Sequence, residues 1–359
     1  MAARGGLCSG GMHRALLLAA ALLAAACHPR PSASTLVAQP LAPGRAWIST
    51  VDRAHPLVGR VWDVRAGRFA DEAALEAGLS GASYVLLGET HDNPDHHVLQ
   101  ARLVRALTGA GKRPAVAFEM LATEQQPAID AALAAPRATP EDVSRAVRWD
   151  ESGWPPFAQY RPVFAAALDA RLRIEGANLP RAQIQAATRR GLEALPAPVR
   201  ARIERQGPLP EAVAREMRQE MAESHCGALP ASMLDPLVTG QRARDAQMAE
   251  SLARTGAAGA VLITGSGHAR TDRGVASYLD PGAKVASVLF REVVPGRDDP
   301  GAYAADYAGR LPFDWVVFTP GEKRPDPCAE LRAHMKAKAK PAAAPPPAPA
   351  APAAPPATP

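Results

Sequence analysis

Short, continuous apolar runs recur along the chain and constrain its fold more than any other feature. They lack the apolar–polar alternation of a strand with one wet face, so they are typical of strands buried on both faces. Segments with helical apolar spacing lie between them, as at residues 97–108, 163–171 and 243–254. Strand alternating with helix predicts an α/β fold, with a mostly parallel sheet flanked by helices. The runs are residues 84–87, 115–118, 172–177, 261–264, 285–290 and 315–318.

Two segments depart from this alternation. Residues 58–65 and 67–70 predict a hairpin or an addition at the sheet edge. Residues 181–237 contain no convincing strand and read as three helices separated by prolines, which predicts a small all-helical domain inserted into the α/β domain. The alternative is that these helices are crossovers belonging to the main sheet.

The two ends of the chain do not resemble parts of a packed domain. Arg4 and Arg14 precede an apolar run at residues 15–26, which is short for a membrane span and suits a signal peptide. Small residues directly before Cys27 predict a lipoprotein signal with lipidation of that cysteine; the alternative is ordinary cleavage near Ala26, which would release a free periplasmic protein. Residues 341–359 are Pro, Ala and one Thr, and predict an extended tail.

The domain boundaries follow from these observations. We predict a signal peptide at residues 1–27, a linker at 28–43, an α/β domain formed by 44–180 and 238–320, a helical insert at 181–237, and a Pro/Ala-rich tail at 321–359.

Charge and cysteine content exclude some classes of protein and leave one question open. The formal net charge of +5 is spread along the chain as isolated arginines, without a basic block interleaved with aromatics, so we expect no nucleic-acid partner. Cys226 and Cys328 lie outside the signal peptide. They form a disulfide in an oxidising compartment or remain two isolated thiols, and no spacing decides between these alternatives.

Polar side chains follow four of the predicted strands at the point where each strand ends. The carboxyl ends of parallel strands meet at one edge of a sheet, where ligand crevices form, so we expect these side chains to share a pocket. Nearby glycines permit tight turns and leave room for a ligand. His96 and His97 are adjacent, so we expect at least one of them to be a solvated helix residue. The polar residues are Glu89, His91, Glu119, Asn178 and His268, and the glycines are Gly88, Gly265 and Gly267.

The order of several short motifs resembles the ChaN-like haem-binding lipoproteins of the haem-uptake/Tiki superfamily. The resemblance covers roughly residues 57–318. The matching segments include residues 86–97, 118–120, Trp154 with Tyr160 and Pro162, residues 177–181, 225–227, Arg244 and Asp245 with Met248, and 265–269 with Gly274.

This resemblance implies a haem-binding lipoprotein of the bacterial envelope that takes part in haem and iron uptake. It implies lipid anchoring on the outer membrane or periplasmic face, and a homodimer that stacks its haems face to face. It also implies a tyrosine on the haem iron, assisted by histidine. Tyr160 is the candidate tyrosine, with a core aromatic as the alternative; Arg161 and Arg181 are candidates for the haem propionates, and His91 and His268 complete the cofactor-binding set.

The same residues support an alternative function. Tiki-type relatives resemble metalloproteases that use two Gly-x-x-His elements, and this chain has both. Imidazole and carboxylate ligands suit a divalent metal ion that activates water, which predicts a metal-dependent peptidase or esterase. Whether the protein is an enzyme therefore stays open at this point. The candidate metal ligands and catalytic residues are Glu89, His91, Glu119 and His268.

Overall fold

The computed structural model describes residues 46–326 and 328–331. The predicted signal peptide with Cys27, the linker and the Pro/Ala segment at 341–359 lie outside the described residues. Within them, no helix is both long enough and apolar enough to span a membrane.

A single eight-stranded sheet organises the described part of the chain, in the order β2-β1-β8-β7-β3-β6-β4-β5. Strands β3 to β8 run parallel to one another, and β1 is antiparallel to both of its neighbours, β8 and β2. The predicted α/β class and the early edge hairpin are therefore confirmed. The strands are β1 (Val61–Asp63), β2 (Arg68–Ala70), β3 (Tyr84–Glu89), β4 (Ala115–Ala122), β5 (Ile174–Asn178), β6 (Ala260–Gly265), β7 (Val285–Glu292) and β8 (Trp315–Thr319).

Helices cover both faces of this sheet. Successive strand residues point to opposite faces, so Leu87 joins one apolar core and Leu86 joins the other. The helices are α1 (Glu72–Ser80), α2 (Pro94–Gly109), α3 (Gln126–Leu133), α4 (Pro140–Ala146), α5 (Phe157–Asp169), α6 (Arg181–Arg190), α7 (Ala197–Gln206), α8 (Glu211–Ser224), α9 (Leu234–Ala253) and α10 (Ser266–Ala269). Short 3-10 helices lie at Thr123–Gln125, Trp149–Glu151, Leu192–Ala194, Ala231–Met233, Gly256–Ala258, Val275–Tyr278 and Pro300–Tyr307.

The segment between β5 and α9 is helical, as its proline-punctuated sequence predicts. Prolines occupy the N-cap positions of α6, α7 and α8, where their fixed φ favours the turn into a helix. The helices α6, α7 and α8 pack against α9. The domain boundaries given above remain a prediction.

A disulfide joins Cys226 to Cys328, with an S–S distance of 2.01 Å and a sequence separation of 102 residues. Of the two alternatives for these cysteines, the structure has the pair. The bond fastens the chain that follows β8 to the end of α8.

Candidate functional site

The carboxyl ends of β3, β6 and β4 lie side by side and carry the candidate site. Glu89 is the last residue of β3 and lies in register with Gly265, the last residue of β6. Glu119 belongs to β4, in a stretch between Phe118 and Ala122 where the register with β5 shifts. Irregularities of this kind re-aim a side chain near functional sites. Both carboxylates are thus within strands that continue beyond the predicted apolar runs.

A first group of side chains surrounds Glu89; we call Glu89, His91, His97, Gln100 and Tyr160 the Glu89 cluster. The carboxylate accepts hydrogen bonds from the Tyr160 hydroxyl at 2.7 Å and the Gln100 amide at 2.6 Å. Nδ1 of His91 lies 2.9 Å from one carboxylate oxygen, and Nδ1 of His97 lies 3.1 Å from the other. Each of these four groups can therefore donate a hydrogen bond to the carboxylate.

Charge within the Glu89 cluster follows from this geometry. Burial by itself would raise the pKa of Glu89, but the charge of His97 and the hydrogen bonds from both histidines lower the pKa to about 2. Burial opposes protonation of His97, yet the neighbouring carboxylate raises the pKa of His97. Because Nε2 of His97 also faces the backbone carbonyl of His91 at 3.0 Å, both ring nitrogens meet acceptors. The protonated form of His97 fits this arrangement.

A second group surrounds Glu119; we call Glu119, Arg244, Asp245, Thr264 and His268 the Glu119 cluster. The carboxylate accepts from the Thr264 hydroxyl and from the backbone N–H of Gly265, each at 2.7 Å, and from the Arg244 guanidinium. Nε2 of His268 lies 3.4 Å from Glu119, while its Nδ1 lies 2.6 Å from an Asp245 oxygen. His268 is therefore held between two carboxylates.

The electrostatics of the Glu119 cluster favour an ionised Glu119 beside a protonated His268. Burial would lower the pKa of His268, but the charges of Glu119 and Asp245 raise it to about 9. Burial likewise opposes ionisation of Glu119, and the charges of His268 and Arg244 outweigh it, so the pKa of Glu119 is well below its usual range. Burial raises the pKa of Asp245. Glu119 is thus ionised and His268 protonated at neutral pH.

The two clusters meet at His91. Its Nε2 lies 3.9 Å from Glu119, on the opposite side of the ring from Glu89. Burial would lower the pKa of His91, but the charge of Glu119 and the contact with Glu89 raise it. The structure therefore brings together Glu89, His91, Glu119 and His268, which the sequence placed at the ends of three separate strands.

Glycine at two positions makes this convergence possible. A Cβ on Gly265 would lie 2.9 Å from Nε2 of His91, and a Cβ on Gly88 would lie 2.7 Å from that of Ala269. A Cβ on Gly267 would meet nothing within 4 Å. None of the three has a positive φ, so the tight turns expected from the sequence are not what these glycines provide. Gly88 and Gly265 instead allow neighbouring groups to approach the backbone closely, whereas a side chain at Gly267 would meet no neighbour.

His91 is the part of the clusters that reaches the surface. Its side chain is 33% exposed, whereas that of His268 is 5% exposed. The Trp154 ring lies 4.9 Å from the His91 ring, edge to face. The imidazole of His91, beside the indole of Trp154, is therefore the solvent-accessible part of an otherwise buried polar site.

Tyr160 is buried at 0% exposure in the first turn of α5, where its ring lies 3.9 Å from that of His97. Burial and the charge of Glu89 raise the pKa of the phenol far above its ordinary value. This arrangement does not support the prediction that Tyr160 ligates iron as a phenolate, because the hydroxyl is both enclosed and held as a donor to Glu89.

The two arginine candidates differ. Arg161 is bound to Glu141 at 2.6 Å on the surface. Arg181 is exposed and begins α6, whose N-cap residue Pro180 provides no side-chain cap. Among the described residues, no carboxylate pairs with Arg181. Arg181 is therefore available to an anion at the carboxyl edge of the sheet, and Arg161 is engaged elsewhere.

The expectation that His96 or His97 is solvated is wrong, since both are 0% exposed. His96 accepts from the backbone N–H of Thr90 at 2.9 Å and contacts the Thr319 hydroxyl at 2.9 Å. Burial lowers the pKa of His96 to about 3, so it is neutral. Adjacent residues on α2 thus serve two different polar networks inside the protein.

Four residues of the clusters had no predicted role, namely Gln100, Arg244, Asp245 and Thr264. Asp245 and Arg244 lie in a segment that matches the family, and this match is the sequence feature that could have identified them as site residues. Gln100 lies one helical turn after His97 on α2, and that spacing places both side chains on the face toward Glu89.

Metal binding finds no support in this geometry. Among the described residues, no group of three or more His, Cys, Asp or Glu side chains is arranged to hold a metal ion. The oxygens of Glu89 and Glu119 are instead engaged by hydrogen-bond donors.

Fold and site together define an α/β protein with a buried acid–base site at the carboxyl edge of its sheet. A family model described as haem-binding uptake, Tiki superfamily, ChaN matches residues 75–279. The match spans more than half of the 359 residues. The chain therefore belongs to this family, and the resemblance noted from its motifs is confirmed.

Solved structures are similar to the chain as well. A structure described as cofacial haem binding to ChaN of Campylobacter jejuni is 21% identical, has a TM-score of 0.57, and aligns over 73% of this chain and 97% of its own. This similarity shows a shared fold. The type III effector HopBA1 is 15% identical with a TM-score of 0.40, covering 69% of this chain and 92% of its own. An erythromycin esterase, EreC, is 12% identical with a TM-score of 0.38, covering 71% and 95%. A search of curated protein sequences gave no match.

Proposed function

We propose that the protein binds haem at the mouth formed by His91 and Trp154, with His91 as the ligand of the iron. The observation that carries this proposal is the exposure of His91. Its ring is one-third exposed, whereas the alternative ligands Tyr160 and His268 are enclosed.

The surroundings of His91 suit a metal-ligating imidazole. Histidine ligands usually donate their second ring N–H to a carboxylate, which fixes the tautomer and raises ligand basicity. Nδ1 of His91 faces Glu89 in this way, at 2.9 Å. Glu89 is in turn fixed by Tyr160 and Gln100. Tyr160 is thereby a positioning residue for the ligand, and its hydroxyl acts through Glu89.

Two further features fit a flat ligand with two carboxylates. Trp154 provides an aromatic surface next to His91. Arg181 and the uncapped N-terminus of α6 favour an anion, since helix N–H groups and a guanidinium both bind carboxylates. Haem would supply an iron that accepts a nitrogen ligand such as His91, and propionates that Arg181 and the N-terminus of α6 would bind.

The cellular role that we propose is haem or iron uptake at the bacterial envelope. In this role Cys27 carries a lipid that anchors the protein at the outer membrane or periplasmic face, and two copies form a homodimer that stacks their haems. The disulfide between Cys226 and Cys328 supports an exported location, because such bonds persist in oxidising compartments. Membrane fractionation of the wild type and Cys27→Ser tests the anchor, and sedimentation with and without hemin tests the dimer.

A hemin titration tests the binding proposal. The purified protein is expected to give a saturable Soret shift, and His91→Ala is expected to lower the affinity at least about tenfold, about 1.4 kcal/mol. His225→Ala, a change of the same residue type in the loop after α8, is the matched control and is expected to bind like the wild type. A shift no larger than that of an unrelated protein would contradict the proposal.

Arg181 and Arg161 form a second matched pair. Arg181→Gln is expected to weaken hemin binding by about threefold to tenfold, because a propionate loses a charged partner. Arg161→Gln is expected to leave the affinity unchanged, since that arginine is bound to Glu141. Equal effects of the two substitutions would show that Arg181 has no specific role.

Hydrolysis is a second candidate function, favoured by one observation. Two histidines, each oriented by its own carboxylate, direct Nε2 toward the shared carboxylate of Glu119. Such positioned imidazoles serve as general acids and bases. Peptidase and esterase substrates should be screened with the protein after metal removal and again with added zinc, manganese or iron. Activity that is absent in every condition, or that survives in His268→Ala, would remove this candidate.

A further inference from the structure

A cavity at the outer edge of the sheet, separate from both clusters, carries an excess of positive charge. Its volume is about 450 Å³, and it lies where β4 and β5 begin. Apart from neutral residues, its lining holds one carboxylate and four guanidinium groups. These are Glu175 and Arg113, Arg171, Arg173 and Arg254.

Three of the four arginines have no acidic partner among the described residues. The Arg113 guanidinium donates to the backbone carbonyls of Thr108 and Lys112, and that of Arg254 donates to the Ser251 hydroxyl at 3.3 Å. No carboxylate of the described residues forms an ion pair with Arg113, Arg171 or Arg254. The cavity therefore retains most of its positive charge.

Within the part of the chain that the structure describes, Arg173 and Glu175 form the single ion pair of the cavity lining. Nε of Arg173 lies 2.6 Å from Glu175, whose side chain is 8% exposed. The pair uses a single nitrogen of the guanidinium, so its two terminal nitrogens keep their N–H donors. Glu175 thus orients Arg173 at the cavity without using all of its donors.

The backbone at Arg171 adds an independent observation. This residue follows α5 with a φ of 52°, in the left-handed region that glycine and asparagine adopt at helix ends. Residues with a Cβ atom adopt this conformation less readily than glycine, because the Cβ comes close to the following carbonyl oxygen. The chain leaves α5 at this residue, and Arg171 there forms part of the cavity lining.

We propose that this cavity binds an organic phosphate or diphosphate that carries at least two negative charges. Guanidinium groups bind the oxygens of phosphate in pairs, and several of them together compensate a doubly charged group. The volume is within the range of small-molecule sites and exceeds the need of a lone inorganic ion. The same chemistry is presented by a soluble phosphorylated compound and by the headgroup of an anionic lipid.

Isothermal titration of the full chain tests this proposal with two probes. Inorganic pyrophosphate represents a soluble phosphate, and dihexanoyl phosphatidic acid, used as a monomer, represents a lipid headgroup. At least one probe is expected to bind with a dissociation constant of about 1 mM or lower. The tighter probe indicates the source of the ligand. The absence of saturable binding of both probes would overturn the proposal.

Matched double substitutions test the position of the site. Arg171→Gln with Arg254→Gln is expected to weaken binding at least about tenfold, whereas Arg189→Gln with Arg190→Gln, on the exposed last turn of α6, is expected to change it less than about twofold. Both doubles remove the same charge from exposed positions. Equal weakening would show attraction to net charge alone and would overturn the site. Arg254→Gln alone, with an unchanged melting temperature, keeps the test valid if the first double is unstable.

Discussion

The Glu89 cluster and the Glu119 cluster each contain a buried carboxylate with a histidine beside it, but they differ in how exposed that histidine is. In each, a buried carboxylate is fixed by donors from distant parts of the chain. Glu89 is compensated by His97 and neutral donors, and it presents His91 at the surface. Glu119 is compensated by Arg244 and encloses His268.

This difference separates two roles within one site. Arginine keeps its charge at any pH at which the protein is folded, so Arg244 stays paired with Glu119 even where His268 has lost its proton. Histidine can lose its proton, so the net charge of the Glu89 cluster can change through His91 and His97. In the function that we propose, the Glu119 cluster holds the three strand ends together, and the Glu89 cluster offers His91 to the haem iron.

Removing the central carboxylates is expected to produce the largest effect. Glu119→Ala leaves the Arg244 charge and the Gly265 N–H without their acceptor, which typically costs about 3–5 kcal/mol in the free energy of unfolding. Glu89→Ala is expected to cost less, about 1–3 kcal/mol, because His91 and His97 can become neutral. Urea unfolding measures the loss of stability in each variant, provided that its m-value equals that of the wild type.

Glu175→Ala is the control for this comparison, because Glu175 is also a buried carboxylate but its partner Arg173 is mostly exposed. Its cost should stay near about 1 kcal/mol. Equal costs for Glu89→Ala and Glu119→Ala would remove the distinction between the clusters.

The glycines test how closely the clusters must approach. Gly265→Ala places a methyl group against the His91 ring and is expected to destabilise the protein by about 1–3 kcal/mol. Gly267→Ala meets open space within α10 and is expected to be neutral or stabilising by up to about 1 kcal/mol. Thermal unfolding gives the energies, and the NMR signals of His91 report the displacement. Identical results for the two variants would show that the clusters do not need Gly265.

The pH dependence of stability distinguishes the enclosed histidine. The pKa of His268 is about 9 in the folded protein, above the ordinary value of 6.5. The contribution of His268 to the free energy of unfolding is therefore fully present below pH 6.5 and is lost as pH rises through 9. The contribution of Glu89, with a pKa of about 2, is present above pH 4.5 and is lost as pH falls through 2.

Urea midpoints between pH 6 and 10 measure the alkaline loss, which His268→Ala should reduce. Asp245→Asn should lower the pKa of His268 in an NMR titration, because one of its two carboxylate partners is removed. A His268 pKa at or below 6.5 in the wild type would contradict the proposed charge state.

The sequence predicts the scaffold well because its strands are buried on both faces. Continuous apolar runs locate β3 to β8, and polar residues at their ends locate Glu89, Glu119 and His268. The predicted runs end before Glu89 and Glu119, whereas strands β3 and β4 include these residues. A carboxylate is typical of a loop unless the fold supplies partners for it. Here the partners come from α2, α5 and α9.

Other features of the site depend on tertiary contacts that no local pattern encodes. Two adjacent histidines suggest at least one solvated residue, but Thr319 and Glu89 satisfy them from different directions. Tyr160 fits a ligand by its motif and is enclosed by the packing of α5 on α2. The role of Arg161 likewise could not be predicted, because its partner Glu141 lies on α4.

The identity of the iron ligand tests the account most directly. Resonance Raman spectra of the ferric haem complex should be compared for the wild type, Tyr160→Phe and His91→Ala. We expect a spectrum without phenolate vibrations in the wild type, little change in Tyr160→Phe, and loss of the wild-type axial ligand in His91→Ala. Phenolate vibrations that are present in the wild type and absent in Tyr160→Phe would contradict the account.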